Sequence, residues 1–206
     1  MITDKPDIFK QAGLFCLILF FVMPLDLIGQ KFTGKALLGV NLSQIDGDYL
    51  HGFRKTGLTA GGRIGYNFGK NKSANLEFLY SERGSAVKLF EKNPANKYTL
   101  RYIEIPLVFS IHDWWQEDKK YYKARLDAGF SYGTLFQLEV PIVDPEEFKS
   151  HDVSYLIGFG LQFTKQIGLG VRYTRSMFDM LDYTLDDGRH IQFRGYFIST
   201  RLEYQF

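Results

Sequence analysis

The sequence predicts an all-β fold, an eight-stranded antiparallel up-and-down transmembrane β-barrel, and three features support this prediction. Apolar and polar residues alternate with a period of two in eight segments between residues 34 and 206. The connections between these segments are alternately long and short, as in barrels with two unlike ends. Aromatic residues make up 17% of the chain, and many of them lie near the ends of the segments, as in interfacial girdles around an apolar band.

The eight predicted strands are longer than the five or six residues that are usual in soluble proteins. They cover residues 34–44, 56–68, 73–84, 99–112, 121–137, 153–164, 166–176 and 194–206. The connections 45–55, 85–98, 138–152 and 177–193 are long and polar, whereas 69–72, 113–120 and 165 are short. Outer-membrane barrels have short periplasmic turns and longer outer loops, so with eight strands both termini of the barrel domain are expected at the short-turn end, on the periplasmic side.

The first residues are interpreted as an export signal and not as part of the fold. Residues 1–29 are assigned to a signal peptide and residues 30–206 to the barrel domain. The uncharged apolar run AGLFCLILFFVMPL is too short to span a bilayer comfortably. Leu27 and Gly29 fit the −3 and −1 positions of a signal-peptidase site, so cleavage is expected before Gln30. A single N-terminal anchor helix is the alternative.

The composition excludes several function classes. The only cysteine, Cys16, lies in the apolar run, so the barrel domain has no disulfide, catalytic thiol or Cys-ligated zinc. The 25 basic and 23 acidic residues give a formal net charge of +2. So small an excess of positive charge does not indicate a nucleic-acid-binding protein. No cofactor is expected, because the chain contains no Gly-rich phosphate loop and no HExxH, G-x-S-x-G or CxxC motif.

The two faces of each segment differ, and their composition distinguishes a soluble barrel from a transmembrane one. A lipocalin-like soluble barrel would turn its apolar face inward. The polar faces here are rich in glycine as well as charge, and glycine inside a narrow barrel makes room for long charged neighbours. We therefore expect the polar faces to line the lumen. The charged residues predicted there are Arg63, Glu77, Glu104, Arg125, Asp127, Arg172, Arg201 and Glu203.

These four basic and four acidic groups are expected to pair, because unpaired buried charge is costly. Such a network indicates a polar plug that fills the barrel, and a gated ion path is the alternative. The aromatic residues predicted to form the two membrane girdles are Tyr66, Phe68, Tyr80, Tyr122, Phe136, Phe163, Tyr173, Tyr196, Tyr204 and Phe206.

Three stretches resemble the PorT-type outer-membrane β-barrel family of Bacteroidota. They are GVNLSQIDGDYLHGFRKTGLTAGGRIGY (39–66), LEFLYSERGSA (76–86) and YIEIPLVFS (102–110). They match the family's G-x-N-L-S opening strand, its G-F-x-K-x-G entry to the second strand, and its E-x-x-Y-S-x-x-G third and Y-x-E-I-P fourth strands. The resemblance implies an outer-membrane barrel but little about individual function. The namesake's link to type IX secretion and gliding is not carried over, since that would rest on the fold alone.

Pro106 lies within the Y-x-E-I-P motif, and we expect a local bulge there because proline cannot donate to a strand ladder.

Candidate catalytic and ligand residues are few. Of the four histidines, His51, His151 and His190 fall in predicted outer loops beside acidic residues. Ser150, His151 and Asp152 are adjacent, so their side chains need not converge on one substrate atom. Trp114 and Trp115, assigned to the turn after the fourth strand, are interpreted as interfacial anchors. The predicted loops also carry carboxylates, which are interpreted as solvated; binding of Ca²⁺, or a Ca²⁺ bridge to lipopolysaccharide phosphates, is the alternative. These residues are Asp46, Asp48, Asp144, Glu146, Glu147, Asp179, Asp182, Asp186 and Asp187.

The sequence therefore predicts a non-enzymatic structural or interaction component of the outer membrane of a Gram-negative bacterium. A small-solute pore and a lipid-modifying enzyme are the alternatives. Expected partners are outer-membrane lipid and lipopolysaccharide, other envelope proteins and the barrel-assembly machinery. The last partner is suggested by the C-terminal sequence RLEYQF, whose terminal aromatic residue resembles the signal read by that machinery.

Overall fold

The computed structural model describes residues 31–48, 50, 52–140, 148–184 and 190–206. The described chain is almost entirely strand, and a short 3₁₀ turn at Pro94–Asn96 precedes the fourth strand. The strands are β1 (Phe32–Asp46), β2 (Lys55–Asn67), β3 (Lys72–Ala86), β4 (Lys97–Gln116), β5 (Tyr121–Glu139), β6 (His151–Gln162), β7 (Ile167–Ser176), β8 (Leu181–Thr184) and β9 (His190–Gln205).

Eight of the strands close into an antiparallel barrel. The order is β1-β2-β3-β4-β5-β6-β7-β9, and β9 also pairs with β1. This closing seam runs from Lys35 opposite Gln205 to Asp46 opposite Arg194. Closure leaves no barrel strand with an unpaired edge. The predicted fold class, an eight-stranded up-and-down barrel, is confirmed.

The period-two pattern places polar side chains inside the barrel and apolar ones outside. On β9 the inward residues Ser199, Arg201 and Glu203 are buried, whereas the outward Leu202 and Tyr204 are exposed. The same alternation continues around the barrel, because successive side chains on a strand point to opposite faces. The outward surface therefore carries a broad band of exposed Leu, Ile, Val and Phe side chains.

Short and long connections lie at opposite ends, which we call the short-turn end and the long-loop end. The short turns span residues 68–71, 117–120 and 163–166, and the long connections follow β1, β3, β5 and β7. The predicted alternation of connection lengths is thus observed. Among the described residues, no helix is long and apolar enough to cross a membrane.

The structure differs from the predicted elements in strand length and number. Strand β4 extends from residue 97 to 116 and β5 from 121 to 139, so Trp114 and Trp115 belong to the end of β4 and not to the turn. The predicted loop 177–193 contains the additional strand β8, which pairs with the first residues of β9. This pairing extends β9 beyond the barrel, a feature that local alternation in so short a segment does not reveal.

The predicted bulge at Pro106 is wrong. The register between β3 and β4 is the same on both sides of Pro106, with Leu76 opposite Leu107 and Leu79 opposite Glu104. Only the intervening pairs are missing from this ladder, because proline has no N–H to donate. The β-bulge lies nearer the start of β4, on the side facing β5, where the register shifts between Arg101 and Tyr102. The extra residue belongs to β5.

An apolar cluster, which we call the apolar cap, occupies the long-loop end. Tyr98 packs edge-to-face on Phe193 with the ring centroids 5.9 Å apart, and Phe148 lies 6.1 Å from the same ring. The buried cluster joins β1, β4, β9, β8 and the segments beside it. Its members are Ile45, Tyr98, Leu100, Tyr102, Phe148, Met180, Leu181 and Phe193. The interior is therefore polar at mid-height and apolar at this end.

Candidate functional site

The lumen is the candidate functional site, because it collects most of the buried charges of the described chain. All eight residues predicted to line it are buried. The structure brings seven of them into one central cluster and places Glu104 in a second cluster nearer the long-loop end. Lys35, which was not among the predicted residues, joins the central cluster.

Glu77 on β3 is the acceptor that links opposite walls of the barrel. Arg172 on β7 donates to both of its carboxylate oxygens, at 2.8 Å each. Arg63 Nε donates to Oε1 at 2.7 Å, and Arg201 Nη1 donates to Oε2 at 3.2 Å. Strands β3 and β7 are four strands apart in either direction around the closed barrel, so the Arg172–Glu77 pair spans the lumen.

Glu203 on β9 is the second acceptor of the central cluster. Arg125 on β5 donates to it through Nη1 at 2.8 Å and Nη2 at 2.6 Å. Lys35 on β1 donates to the same carboxylate at 3.0 Å. Two-pronged arginine–carboxylate pairs combine strength with fixed geometry, so these contacts hold β1, β5 and β9 at a set spacing.

Asp127 completes the central cluster. Its Oδ1 accepts from Arg125 Nε at 2.9 Å and from the Ser110 hydroxyl at 2.6 Å. Arg63 Nη2 lies 3.5 Å from its Oδ2. Three carboxylates therefore share five cationic side chains, and the members of the central cluster are Lys35, Arg63, Glu77, Arg125, Asp127, Arg172, Arg201 and Glu203.

Glycines on the inward face make room for these long side chains. A Cβ atom at Gly160 would lie 2.8 Å from Arg125 Nη2, and one at Gly170 would lie 2.8 Å from Glu203 Oε1. Both approaches are closer than real Cβ contacts allow. The glycine-rich polar faces of the sequence thus correspond to space that arginine and glutamate occupy.

The second cluster is built around Arg83. Its Nη1 donates to Asp152 Oδ2 at 2.9 Å, and its Nη2 lies 3.3 Å from Glu104 Oε1. The guanidinium also stacks over the Tyr102 ring, 3.9 Å from its centroid, and lies 5.0 Å from the Phe197 centroid. Arg83 therefore joins the ionic part of the lumen to the apolar cap, because cations are attracted to aromatic faces.

Sequence reasoning missed Lys35, Arg83 and Asp152, although strand parity could have found two of them. Arg83 has the same parity as Glu77 on β3, and Lys35 lies on the face of β1 that also carries Asn41. Asp152 was assigned to a loop, because the predicted sixth strand began at residue 153, but β6 begins at His151.

The ten residues predicted for the girdles all lie on the outer surface, and none is buried. At the short-turn end the rings of Tyr204 and Phe206 are 5.6 Å apart. At the long-loop end Tyr80 lies 6.1 Å from Phe136, and Tyr173 lies 6.5 Å from Tyr196. Exposed aliphatic side chains lie between these two levels.

Where they are described, the residues considered for catalysis do not converge. His151 faces outward, where Nδ1 lies 2.8 Å from the Tyr132 hydroxyl, whereas the adjacent Asp152 points inward to Arg83. His112 contacts the Ser73 hydroxyl at 3.0 Å. His51 lies outside the described residues, as do the side-chain contacts of His190. The geometry thus separates the neighbouring His151 and Asp152 onto opposite faces of one strand.

The loop carboxylates are also dispersed where they are described. Asp46 pairs with Arg175 at 3.3 Å, and Asp179 pairs with Arg194 at 2.8 Å. Asp48 accepts a hydrogen bond from the backbone of Leu50. Within the described part of the chain, no group of three or more His, Cys, Asp or Glu residues is placed to hold a metal ion. Outside the described residues or side chains lie Asp144, Glu146, Glu147, Asp182, Asp186 and Asp187.

Comparisons with known structures return other small barrels. The Ail attachment invasion locus protein of Yersinia pestis is 13% identical, with a TM-score of 0.47, covering 86% of this chain and 100% of that one. The outer membrane protein OprG from Pseudomonas aeruginosa is 9% identical, with a TM-score of 0.44, covering 85% and 96% of the two chains. Neisserial surface protein A is 13% identical, with a TM-score of 0.44, covering 85% and 97%.

A comparison with curated proteins gave no match. The family profile described as the outer membrane protein beta-barrel domain matches residues 31–182. This match covers most of the chain and coincides with the first seven barrel strands. The chain belongs to the outer membrane protein beta-barrel domain family.

Proposed function

We propose that this protein is a non-enzymatic structural or interaction component of the cell envelope whose barrel does not conduct solutes. The observation that carries the proposal is the central cluster, in which Arg172 and Glu77 bridge opposite walls. An eight-stranded barrel has an interior just wide enough for side chains, and a cross-lumen ion pair occupies that space. The apolar cap supports the same proposal, because it adds a second layer across the long-loop end.

A small-solute pore is the alternative function, and liposome swelling distinguishes the two. Proteoliposomes containing the full chain are expected to swell in iso-osmotic arabinose no faster than protein-free liposomes. A general porin reconstituted at the same protein-to-lipid ratio serves as the positive control. Swelling at a rate near that of the porin would reject the filled-lumen proposal.

A lipid-modifying enzyme is the second alternative, and His151 is its best candidate residue. We expect cells that produce the His151→Ala variant to have the same lipid A and phospholipid profiles as cells that produce the unchanged protein. This expectation follows from the separation of His151 and Asp152 onto opposite faces of β6. A lipid species that disappears only in the variant would support an enzyme instead.

The proposal also covers the export signal, the orientation in the membrane, the family group and the partners of the chain. We assign residues 1–29 to a signal peptide and the short-turn end to the periplasm, in keeping with the short periplasmic turns of outer-membrane barrels. We also assign the chain to the PorT-type group of Bacteroidota on the motifs at 39–66, 76–86 and 102–110. The two aromatic girdles would sit at the lipid and lipopolysaccharide interfaces, and β9 would engage the barrel-assembly machinery.

A further inference from the structure

The short-turn end of the barrel is strongly basic, whereas the long-loop end is not. At the long-loop end, the described residues of segments 45–56, 82–101, 137–151 and 175–194 include eight basic and seven acidic residues, leaving out the inward-facing Lys55 and Arg83. At the short-turn end, seven lysines stand against only Asp113, Glu117 and Asp118. These seven lysines, which we call the basic rim, are Lys31, Lys70, Lys72, Lys119, Lys120, Lys123 and Lys165.

The charges of the basic rim are available to a partner. Six of the seven lysines are exposed and Lys123 is half-buried. None of them forms an ion pair with a described residue. At the long-loop end, Arg101 pairs with Glu139 at 2.7 Å and Arg194 with Asp179 at 2.8 Å, whereas Lys92 and Lys149 form no ion pair with a described residue. The two ends therefore differ in net charge, which is positive at the short-turn end and nearly balanced among the described residues of the long-loop end.

An aromatic layer lies beside the basic rim and is fixed to it by direct contacts. The Lys123 ammonium lies 4.2 Å from the centroid of the Trp114 ring. The Tyr122 hydroxyl donates to the backbone oxygen of Lys70 at 2.8 Å, and the ring of Tyr122 packs 4.8 Å from that of Trp115. Trp and Tyr concentrate at the level of the headgroups in membrane proteins. The lysines next to this layer therefore lie at headgroup depth.

We propose that the basic rim binds the anionic headgroups of phospholipids in the leaflet at the short-turn end. Anionic leaflets attract basic residues near the membrane surface. All the rim cations are lysines, whereas five of the seven buried cations of the described chain are arginines. Arginine suits fixed two-pronged pairs, and the hydrated point charge of lysine suits phosphates that exchange and reorient. The proposal takes the membrane location from the family and goes beyond it by naming the lipid class.

The two tryptophans of the chain make the proposal directly measurable. Trp114 and Trp115 are the only tryptophans, and both lie next to the basic rim. The full chain is reconstituted into phosphatidylcholine bilayers with increasing fractions of phosphatidylglycerol, one lipid at a time being brominated on its upper acyl chain. Quenching of the tryptophan fluorescence then gives the relative binding constant of the two lipids beside the rim. We expect a preference of about threefold for phosphatidylglycerol at low salt, which is abolished at 1 M salt.

Two variants test whether the lysines cause this preference. Replacing Lys70, Lys72, Lys119 and Lys120 by Gln is expected to bring the relative binding constant to about 1. The matched control replaces Lys88, Lys92, Lys97 and Lys149 at the long-loop end and is expected to leave the preference unchanged.

Three results would overturn the proposal. The first is equal quenching by both lipids in the unchanged chain, and the second is an unchanged preference in the rim variant. The third is lysine-dependent sedimentation with purified peptidoglycan in the absence of any lipid preference, which would assign the rim to the cell wall. Absence of quenching by either lipid would reject the membrane location itself, and this outcome is distinct from failure of the lipid preference.

Discussion

Glu77 carries more of the lumen network than any other single residue, because three arginines from β2, β7 and β9 donate to its carboxylate. Removing one partner of a buried ion pair leaves the others uncompensated, and the loss is larger than the net contribution of the pair itself. The stability of the barrel should therefore depend on this carboxylate far more than on surface charges.

The Glu77→Gln variant is expected to lower the free energy of unfolding by about 3–5 kcal/mol, measured by urea unfolding of the chain refolded in lipid vesicles. Glu117→Gln is the control, because Glu117 is an exposed carboxylate in the turn after β4, and no change is expected there. Equal stability of the Glu77→Gln variant and the unchanged chain would show that the cross-lumen pairs are not structural.

At the residue scale, the sequence predicts which side chains enter the lumen but not how they pair. Parity along a strand assigns Arg172 and Glu77 to the inward face. Whether the two side chains meet depends on their relative heights along the barrel axis. These heights follow from the registers of all the strands between β3 and β7, which the sequence of any one strand does not predict. The second cluster was missed for a related reason, since Asp152 lies at the boundary between a loop and a strand.

At the element scale, long alternating segments were predictable and short or interrupted ones were not. The barrel strands contain enough alternation to identify them, whereas the four residues of β8 (Leu181–Thr184) do not. The inward-facing apolar residues of the cap contradict a simple rule of polar inside and apolar outside. Leu100 and Phe193 follow inward parity but pack with β8 and Phe148 instead of with the ionic clusters.

The Phe193→Ala variant tests whether the apolar cap is a packed element. Phe193 is 3% exposed and contacts Tyr98 and Phe148, so its truncation is expected to cost about 3–5 kcal/mol of local stability. Limited proteolysis should then cut the long-loop end faster, while the barrel itself stays resistant. Phe178→Ala is the matched control, because Phe178 lies at the same end, in the connection between β7 and β8, and is 62% exposed. Equal cleavage rates for the two variants would contradict a packed cap.

Strand β9 closes the barrel, and the exposed aromatic residue Phe206 follows it directly. The side chain of Phe206 contributes little packing, since it is 82% exposed and contacts Tyr204. Because Phe206 packs so little, its deletion is not expected to change the unfolding of the protein that assembles. The amount of protein assembled in the outer membrane is expected to fall, because the proposal assigns the C-terminal aromatic residue to recognition by the barrel-assembly machinery. Immunoblots of purified outer membranes measure this amount. Phe163→Ala, at an exposed aromatic residue of the same end, is the control, and normal levels of the deletion variant would contradict the role assigned to Phe206.

At the scale of the whole molecule, the closed barrel combines two interiors of different character. Cross-lumen ion pairs fill the middle, and the apolar cap covers the long-loop end. The outer surface is an apolar band between aromatic levels, with a net positive charge at the short-turn end. The overall architecture was predictable, because every barrel strand repeats the same period, but the layered interior depends on contacts between strands distant in sequence.

Single-channel recording in planar lipid bilayers tests the filled lumen most directly. The purified full chain, whose folding is verified beforehand by heat-modifiable gel migration, is added to a bilayer in 1 M KCl. The account predicts no conductance, or only small and rare openings, because charged side chains occupy the cross-section that ions would need. Steady openings of large conductance in the folded protein would contradict it.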